Sequence, residues 1–312
     1  MKKLICTLLS TVLITCAFGN VVSFANNDEI NVSDLETVGE IGIEFISVER
    51  NLKPADSELL AAKSFEEMSE IAKRKFEADP SNYSEEKIEH VASVFAELKN
   101  AAGDNGVAVA AEADEYQIGD RELIAFFCIE DGMGVLDVYT AKEIADEAKA
   151  DAESTYPSSS DAGGLRDSYR HFTWNHRMTD ELSQTDARIV GCNYEWGAIL
   201  ENYAMNLYND YLAEGLTVTS AAYKACLNAI YFRDELYSVC AESQSYFTAF
   251  FDNAAIRDLW NNCYGRAYAA DYSYNYRTAF NVAANNELIN SDSAVTNSHI
   301  YSVWAWDWYT AA

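Results

Sequence analysis

Over most of the chain, apolar residues recur every three or four positions with charged residues between them, a spacing that predicts amphipathic helices. Residues 56–78, DSELLAAKSFEEMSEIAKRKFEA, and 84–101, SEEKIEHVASVFAELKNA, show it, with Pro80 between them. Another helix is expected over 140–154, TAKEIADEAKADAES, where Thr140 and Glu143 have capping-box spacing. The stretch 121–140, RELIAFFCIEDGMGVLDVYT, has two apolar runs about a glycine turn. It reads as a hairpin or as a short helix followed by a strand. A short β-leaning run, IGIEFISV, covers 41–48.

The helical pattern resumes at Leu165, where Leu165, Tyr169 and Phe172 form an apolar stripe. Arg166, Arg170 and Trp174, with His171 and Asn175 one position along, make a polar and aromatic face. His176 is offset from His171 by about 140° around a helix, so the two do not form a metal pair on one regular helix. The stretch 185–216, TDARIVGCNYEWGAILENYAMNLYNDYLAEGL, predicts a long helix from a Thr or Asp cap to Gly215. In it Ile189, Cys192, Ile199, Tyr203 and Leu207 are candidate core residues, and Glu195 lies near the middle. In 253–272, NAAIRDLWNNCYGRAYAADY, Asp258, Asn262 and Arg266 recur every four residues beside a row of Asn261 and Gly265. Two asparagines and a glycine disfavour a helix by about 0.5–1 kcal/mol each relative to alanine, so packing or chemistry has to offset them.

Composition divides the chain. Residues 26–160 hold 32 acidic and 11 basic side chains with 4 tyrosines and no tryptophan; 161–312 hold 18 acidic and 9 basic, with 16 tyrosines and all 6 tryptophans. The expected organisation is an acidic, mostly helical region over 26–156, a linker or loop over 157–163, and an aromatic-rich helical domain over 164–312. The fold class that follows is mainly α, a multi-helix domain with a polar cluster between helices, preceded by an acidic helical lead-in with a small β element. Whether the lead-in packs onto the domain or acts as a spacer is open at this point.

The first residues change the expected address. Lys2 and Lys3 precede an apolar run from Leu4 to Phe18, and Ser23 and Ala25 supply a small-residue cleavage site before Asn26. The reading is a secretory signal over 1–25, with a lipid anchor at Cys16 as the lesser alternative because Thr15 fits a lipobox poorly. Cleavage would remove two lysines, taking the net charge from −28 to about −30. Such a field disfavours nucleic acid, and no later segment suggests a membrane span. The five remaining cysteines have no metal-type spacing, and buried thiols are at least as good a reading as disulfides.

The elements YRHFTWN and DLWNNCYGR resemble a family of exported bacterial domains of uncharacterised function. Its pattern is approximately R-H-x-x-W-N, then a helix with an internal Glu, then D-x-x-N-N-x-x-G-R. Arg170, His171, Trp174 and Asn175 match the first element; Asp258, Asn261, Asn262, Gly265 and Arg266 match the last, and Glu195 the middle. The resemblance spans residues 161 to about 270. Where the family often has Ala-His-Glu this chain reads CNYEW, and where a His often precedes the twin Asn it has Trp260. The resemblance therefore implies site residues and an exported location, with no metal-ligand set and no reaction.

Two functional readings follow. The first is a non-catalytic cell-surface or secreted binding or structural module, its buried polar groups locking helices in register, with an extracellular or cell-envelope ligand. The alternative is a hydrolase acting on an ester, amide or phosphodiester of the envelope. In it His171 is general base, Glu195 or Asp258 orients it, and Asn262 and Arg266 steady developing negative charge. The binding set is Arg170, Trp174, Asn175, Asn261, Asn262 and Arg266. Nothing suggests a nucleotide, flavin or haem. The alternation of Trp304, Trp306 and Trp308 predicts an extended C-terminal strap. His90 and His299 carry no chemistry in this reading.

Overall fold

In a computed structural model, residues 53–104, 120–159, 163–285 and 287–304 are described; among them the architecture is all helical, with no strand. The β-leaning run at 41–48, the signal over 1–25 and residues 305–312 lie outside the described residues. The helices in chain order are α1 Ser57–Ala61, α2 Phe65–Ala78, α3 Glu85–Asp104, α4 Asp120–Glu130, α5 Val135–Thr155 and α6 Leu165–Glu181. Then come α7 Gln184–Ala213, α8 Val218–Glu242, α9 Gln244–Phe250, α10 Asn253–Ala269, α11 Tyr276–Ala283 and α12 Asn297–Ser302. No helix among the described residues is long and apolar enough to cross a membrane.

The expected helix over 56–78 is broken in two. Ala62 turns extended, and Ser64 restarts the chain by accepting a hydrogen bond from the Glu67 amide at 3.1 Å, while Glu67 accepts from the Lys63 amide at 2.8 Å. The hairpin or helix–strand expectation for 121–140 is overturned. Leu123, Phe126, Phe127 and Cys128 are all buried at helical spacing in α4, and Gly132, at φ 99°, makes the turn into α5. A short apolar run surrounded by protein looks alike in sequence whether it is helix or strand. Helix α5 consequently starts at Val135, and Thr140 is interior, its hydroxyl donating to the Leu136 carbonyl at 3.0 Å rather than capping.

The acidic lead-in folds onto the second part. One hydrophobic core contains Leu59, Phe76, Val91 and Phe126 together with Tyr169, Trp196, Phe232 and Phe280. The Tyr246 hydroxyl reaches the Leu60 carbonyl at 2.9 Å, and Lys73 pairs with Asp210 at 2.6 Å. A smaller cluster, including Met133, Ile144, Met178 and Ile189, fills the space between α4, α5, α6 and α7. At the C-terminal edge Trp304 is in helical rather than extended backbone, and its indole nitrogen donates to the Cys240 carbonyl at 2.9 Å. The five cysteines among the described residues are thiols, four of them buried.

The pair that positions the site is α6 with α10, the most extensively packed pair of helices. They touch at Gly265, where an added Cβ would collide with the Phe172 carbonyl and come within 3.2 Å of the Asn175 Cβ. The glycine therefore answers to close backbone approach. Gly265→Ala is expected to destabilise the fold by about 2 kcal/mol through overpacking, read as a lower denaturant midpoint; an unchanged midpoint would show that the helices are not held this close.

Candidate functional site

Asp167, His171 and Asn175 stand at four-residue intervals on α6 and face α10, which runs in the same direction. Opposite them, in the same order, are Arg257, Asn262 and Arg266. The Arg257 guanidinium donates to Asp167 Oδ2 at 2.5 Å. The His171 Nδ1 pairs with Asn262 Oδ1 at 3.2 Å, and Arg266 donates to Asn175 Oδ1 at 2.8 Å. These three rungs form a polar ladder whose six residues are at most 4 % exposed. Each of the six residues meets a partner across the interface, as burial of such side chains requires, although the Asn262 Nδ2 donor has no hydrogen-bond partner.

Arg170 fixes the chemistry of the middle rung. Its guanidinium donates to Asp167 Oδ1 at 2.5 Å and lies 3.0 Å from His171 Nε2. A guanidinium has only donors, so Nε2 must present its lone pair and the ring proton sits on Nδ1, where Asn262 Oδ1 accepts it. Burial first, and then Arg170, hold the His171 imidazole well below its usual range; the bond to Asn262 opposes them. The ring is neutral at neutral pH, with both nitrogens engaged.

Two carboxyls flank this ring with raised affinity for protons. Asp258 Oδ2 lies 3.5 Å from His171 Nε2, and its Oδ1 accepts from Arg257 Nε at 3.0 Å. Burial first, then the charge of Asp167, push the Asp258 carboxyl up to about 7 against the pull of Arg257 and Arg170. Glu195, on α7, is buried, and its Oε1 has no hydrogen-bond partner. Burial, then Asp258 and Asp252, push its carboxyl well above the ordinary value, with Arg170 pulling the other way. Arg257 bonds directly to Asp258, so Glu195 is the carboxyl of the two that keeps its proton.

Asp167, His171 and Asp258 bring one ligand atom each within 4.8 Å of one another, a grouping that could hold a cation. Asp167 Oδ1 and the imidazole Nε2 are already engaged by Arg170, Asp167 Oδ2 by Arg257, and Asp258 by Arg257 through its other oxygen, Oδ1. A divalent ion would therefore have to displace or repel two guanidiniums, and this donor set fits a metal poorly.

Of the residues selected from sequence, Arg170, His171, Trp174, Asn175, Glu195, Asp258, Asn262 and Arg266 gather at the α6–α7–α10 junction. Trp174 is buried, edge-on to Tyr194 at 5.5 Å and to His171 at 6.2 Å. Asn261 does different work. Its amide accepts from the Ile289 amide at 3.0 Å and donates to the Ile289 carbonyl at 2.9 Å, fastening the chain after α11. His176 lies elsewhere, 3.1 Å from Asp180. His90 pairs with Glu130 on the surface at 2.6 Å, and His299 caps α12.

Sequence reasoning missed Asp167 and Arg257, the outer rung. Their signal was present: Asp167 precedes His171 by one helical turn and is in register with Asn175, and Arg257 adjoins the Asp258 row. It also missed a second buried ion pair, Arg233 with Asp131, in which two guanidinium nitrogens donate at 3.0 and 2.7 Å and Asn193 accepts at 2.9 Å. That network ties the α4–α5 turn to α7 and α8.

No protein-family model, curated protein or solved structure matches the chain.

The Asp258 environment sets a pH dependence with a definite sign. A carboxyl raised from an ordinary 3.8 to about 7 by folding contributes stability that is complete below about pH 4 and lost as pH rises through 7. His171, depressed by folding, acts oppositely, its contribution being lost as pH falls below 6.5, but it is common to wild type and Asp258→Asn. Between pH 5 and pH 8 the stability of wild type relative to Asp258→Asn is expected to fall by on the order of 2 kcal/mol, measured by denaturant unfolding. A difference that does not vary with pH would contradict the raised carboxyl.

Proposed function

We propose that this chain is an exported, non-catalytic binding or structural module in which the α6–α10 ladder is a register device. The observation that carries this reading is the state of His171. Its basic nitrogen accepts from Arg170, its other nitrogen donates to Asn262, and the ring is buried and neutral. A general base needs a lone pair within reach of the proton it removes, and here a guanidinium occupies that lone pair. The leader-like residues 1–25 support an extracytoplasmic address, and the acidic balance suits neither nucleic acid nor an anionic membrane surface. The resemblance to exported bacterial domains rests on the residues that build the ladder and its surroundings.

One observation favours a second reading, hydrolysis of an envelope ester, amide or phosphodiester. Asp258, raised to about 7 and 14 % exposed at its side chain, has the proton affinity of a general base working near neutrality, and Glu195, holding its proton, has that of a general acid. In this reading Asp258 rather than His171 takes the proton from water, and Arg170 steadies negative charge.

Purified protein offered peptidoglycan, phospholipid and phosphodiester substrates, beside His171→Ala and Asp258→Asn, separates the two. As a module, wild type turns over none of them, and His171→Ala unfolds about 3 kcal/mol more easily because Arg170 and Asn262 lose their buried partner. Turnover by wild type that a folded Asp258→Asn lacks, with kcat/KM rising through pH 7, would replace the module by the hydrolase.

A further inference from the structure

At the α6–α7–α10 junction carboxyls outnumber the cations that hold them. Arg170 pairs with Asp167, and Arg257 pairs with Asp167, Asp258 and Asp292. Glu195 is left over. It is 7 % exposed with its Oε1 buried, yet no hydrogen bond or ion pair joins its side chain to another described residue. Of the charges that act on it, Asp258 and Asp252 come first, and Arg170 opposes them only through space. A second oxygen is in the same position. Asp258 Oδ1 accepts twice from Arg257, whereas Oδ2 lies 3.5 Å from His171 Nε2, a lone pair that Arg170 already engages, and meets no donor there.

This edge of the junction reaches solvent. The Asp258 side chain is 14 % exposed and that of Arg170 26 %, while Tyr194 is 39 % exposed. Tyr194 precedes Glu195 on α7, and its ring stands edge-on to His171 at 6.2 Å and to Trp174 at 5.5 Å. An aromatic wall therefore adjoins the two carboxyls. A carboxylate taken out of water is costly unless a cation meets it, and the chain as a whole, at a net charge of −28, draws cations toward it.

We infer that Glu195, Asp258 Oδ2 and Tyr194 form a binding site for a small organic cation, the ammonium group of a primary amine. An ammonium has three donors and no acceptor, so one group can serve both carboxyls while its alkyl stem lies against the tyrosine ring. A divalent metal takes about six oxygens, and the guanidiniums already occupy Asp167 and Asp258 Oδ1. This inference gives the proposed module its ligand class and so rests on that reading.

Binding of an amine is linked to protons. Burial raises both carboxyls, Asp258 to about 7, and a bound ammonium favours their charged forms. Protons therefore leave as the amine enters, and affinity rises with pH. The other groups facing the site are Asp167, His171 and Arg170 from α6 and Asp252 and Arg257 from the start of α10; His171 is already neutral.

The test titrates purified protein with methylamine and butylamine, beside magnesium and calcium chloride, at constant ionic strength, followed by calorimetry. Wild type is expected to bind a primary amine saturably, about tenfold or more tightly at pH 8 than at pH 6. It should release about one proton at pH 7, read from the dependence of the heat on buffer ionisation. Glu195→Gln keeps the shape of the protonated carboxyl; it should melt as wild type does without amine and bind about tenfold or more weakly. Tyr194→Leu should weaken binding without changing the proton release. If Glu195→Gln does not fold, the proton release of wild type decides. No saturable binding by wild type, equal binding by wild type and a folded Glu195→Gln, affinity that does not rise with pH, or preference for magnesium or calcium overturns the site. Each of these leaves the register role of His171 to be judged by the unfolding of His171→Ala, so the two failures are distinct.

Discussion

The ion pair between Asp167 and Arg257 is the contact on which the rest of the site depends. It joins α6 to α10 at the end of the ladder where both helices begin, and it fixes their relative register along a shared direction. Once it forms, His171 must meet Asn262 and Asn175 must meet Arg266, because each follows by about one helical turn. A one-turn slip would leave several buried polar atoms without partners, at about 1–3 kcal/mol each. An apolar interface of equal area would tolerate that slip far better. The ladder thus contributes specificity more than net stability, since burying charged groups costs much of what their attraction returns.

The same contact decides what His171 can do. Asp167 holds Arg170 as well as Arg257, and Arg170 in turn lies on the imidazole lone pair. Taking Asp167 away would release Arg170 toward solvent and expose Nε2. The neutral ring, the raised Asp258 carboxyl and the protonated Glu195 follow first from burial in one junction and then from the charges of Asp167, Arg170, Arg257 and Asp258 that share it. Gly265 allows the arrangement by letting the two backbones approach, and Gly191 lets α7 pack closely on the ladder, where an added Cβ would lie 3.2 Å from Asn175 Oδ1 and 3.3 Å from Asn262 Nδ2.

Much of this was legible in the sequence. The row Asp258, Asn262, Arg266 stood out because its residues are poor or costly choices for the interior of a helix, and the structure gives each a place at the α6 interface. Tyr169, Phe172 and the start of α6 followed from periodicity alone, although Leu165 is in fact exposed. Asp167 did not stand out, because an acid in the first turn of a helix is ordinary and its value here lies in a partner 90 residues away. The α4–α5 turn failed for a different reason: periodicity cannot tell a buried helix from a buried strand over so short a run, and only the packing of Phe126 and Phe127 against both parts of the chain decides it. Asn261 was placed in the site by adjacency, but its register carries it to the Ile289 backbone instead.

The central claim, that a buried ladder between α6 and α10 sets the register of the domain, is tested most directly by a double-mutant cycle on its outer rung. Wild type, Asp167→Asn, Arg257→Gln and the double variant are unfolded in denaturant at neutral pH. The account predicts a coupling energy of about 2 kcal/mol or more, the double variant being far less destabilised than the sum of the single ones. Additive effects within about 0.5 kcal/mol would contradict it and would mean that apolar packing alone holds the two helices in register.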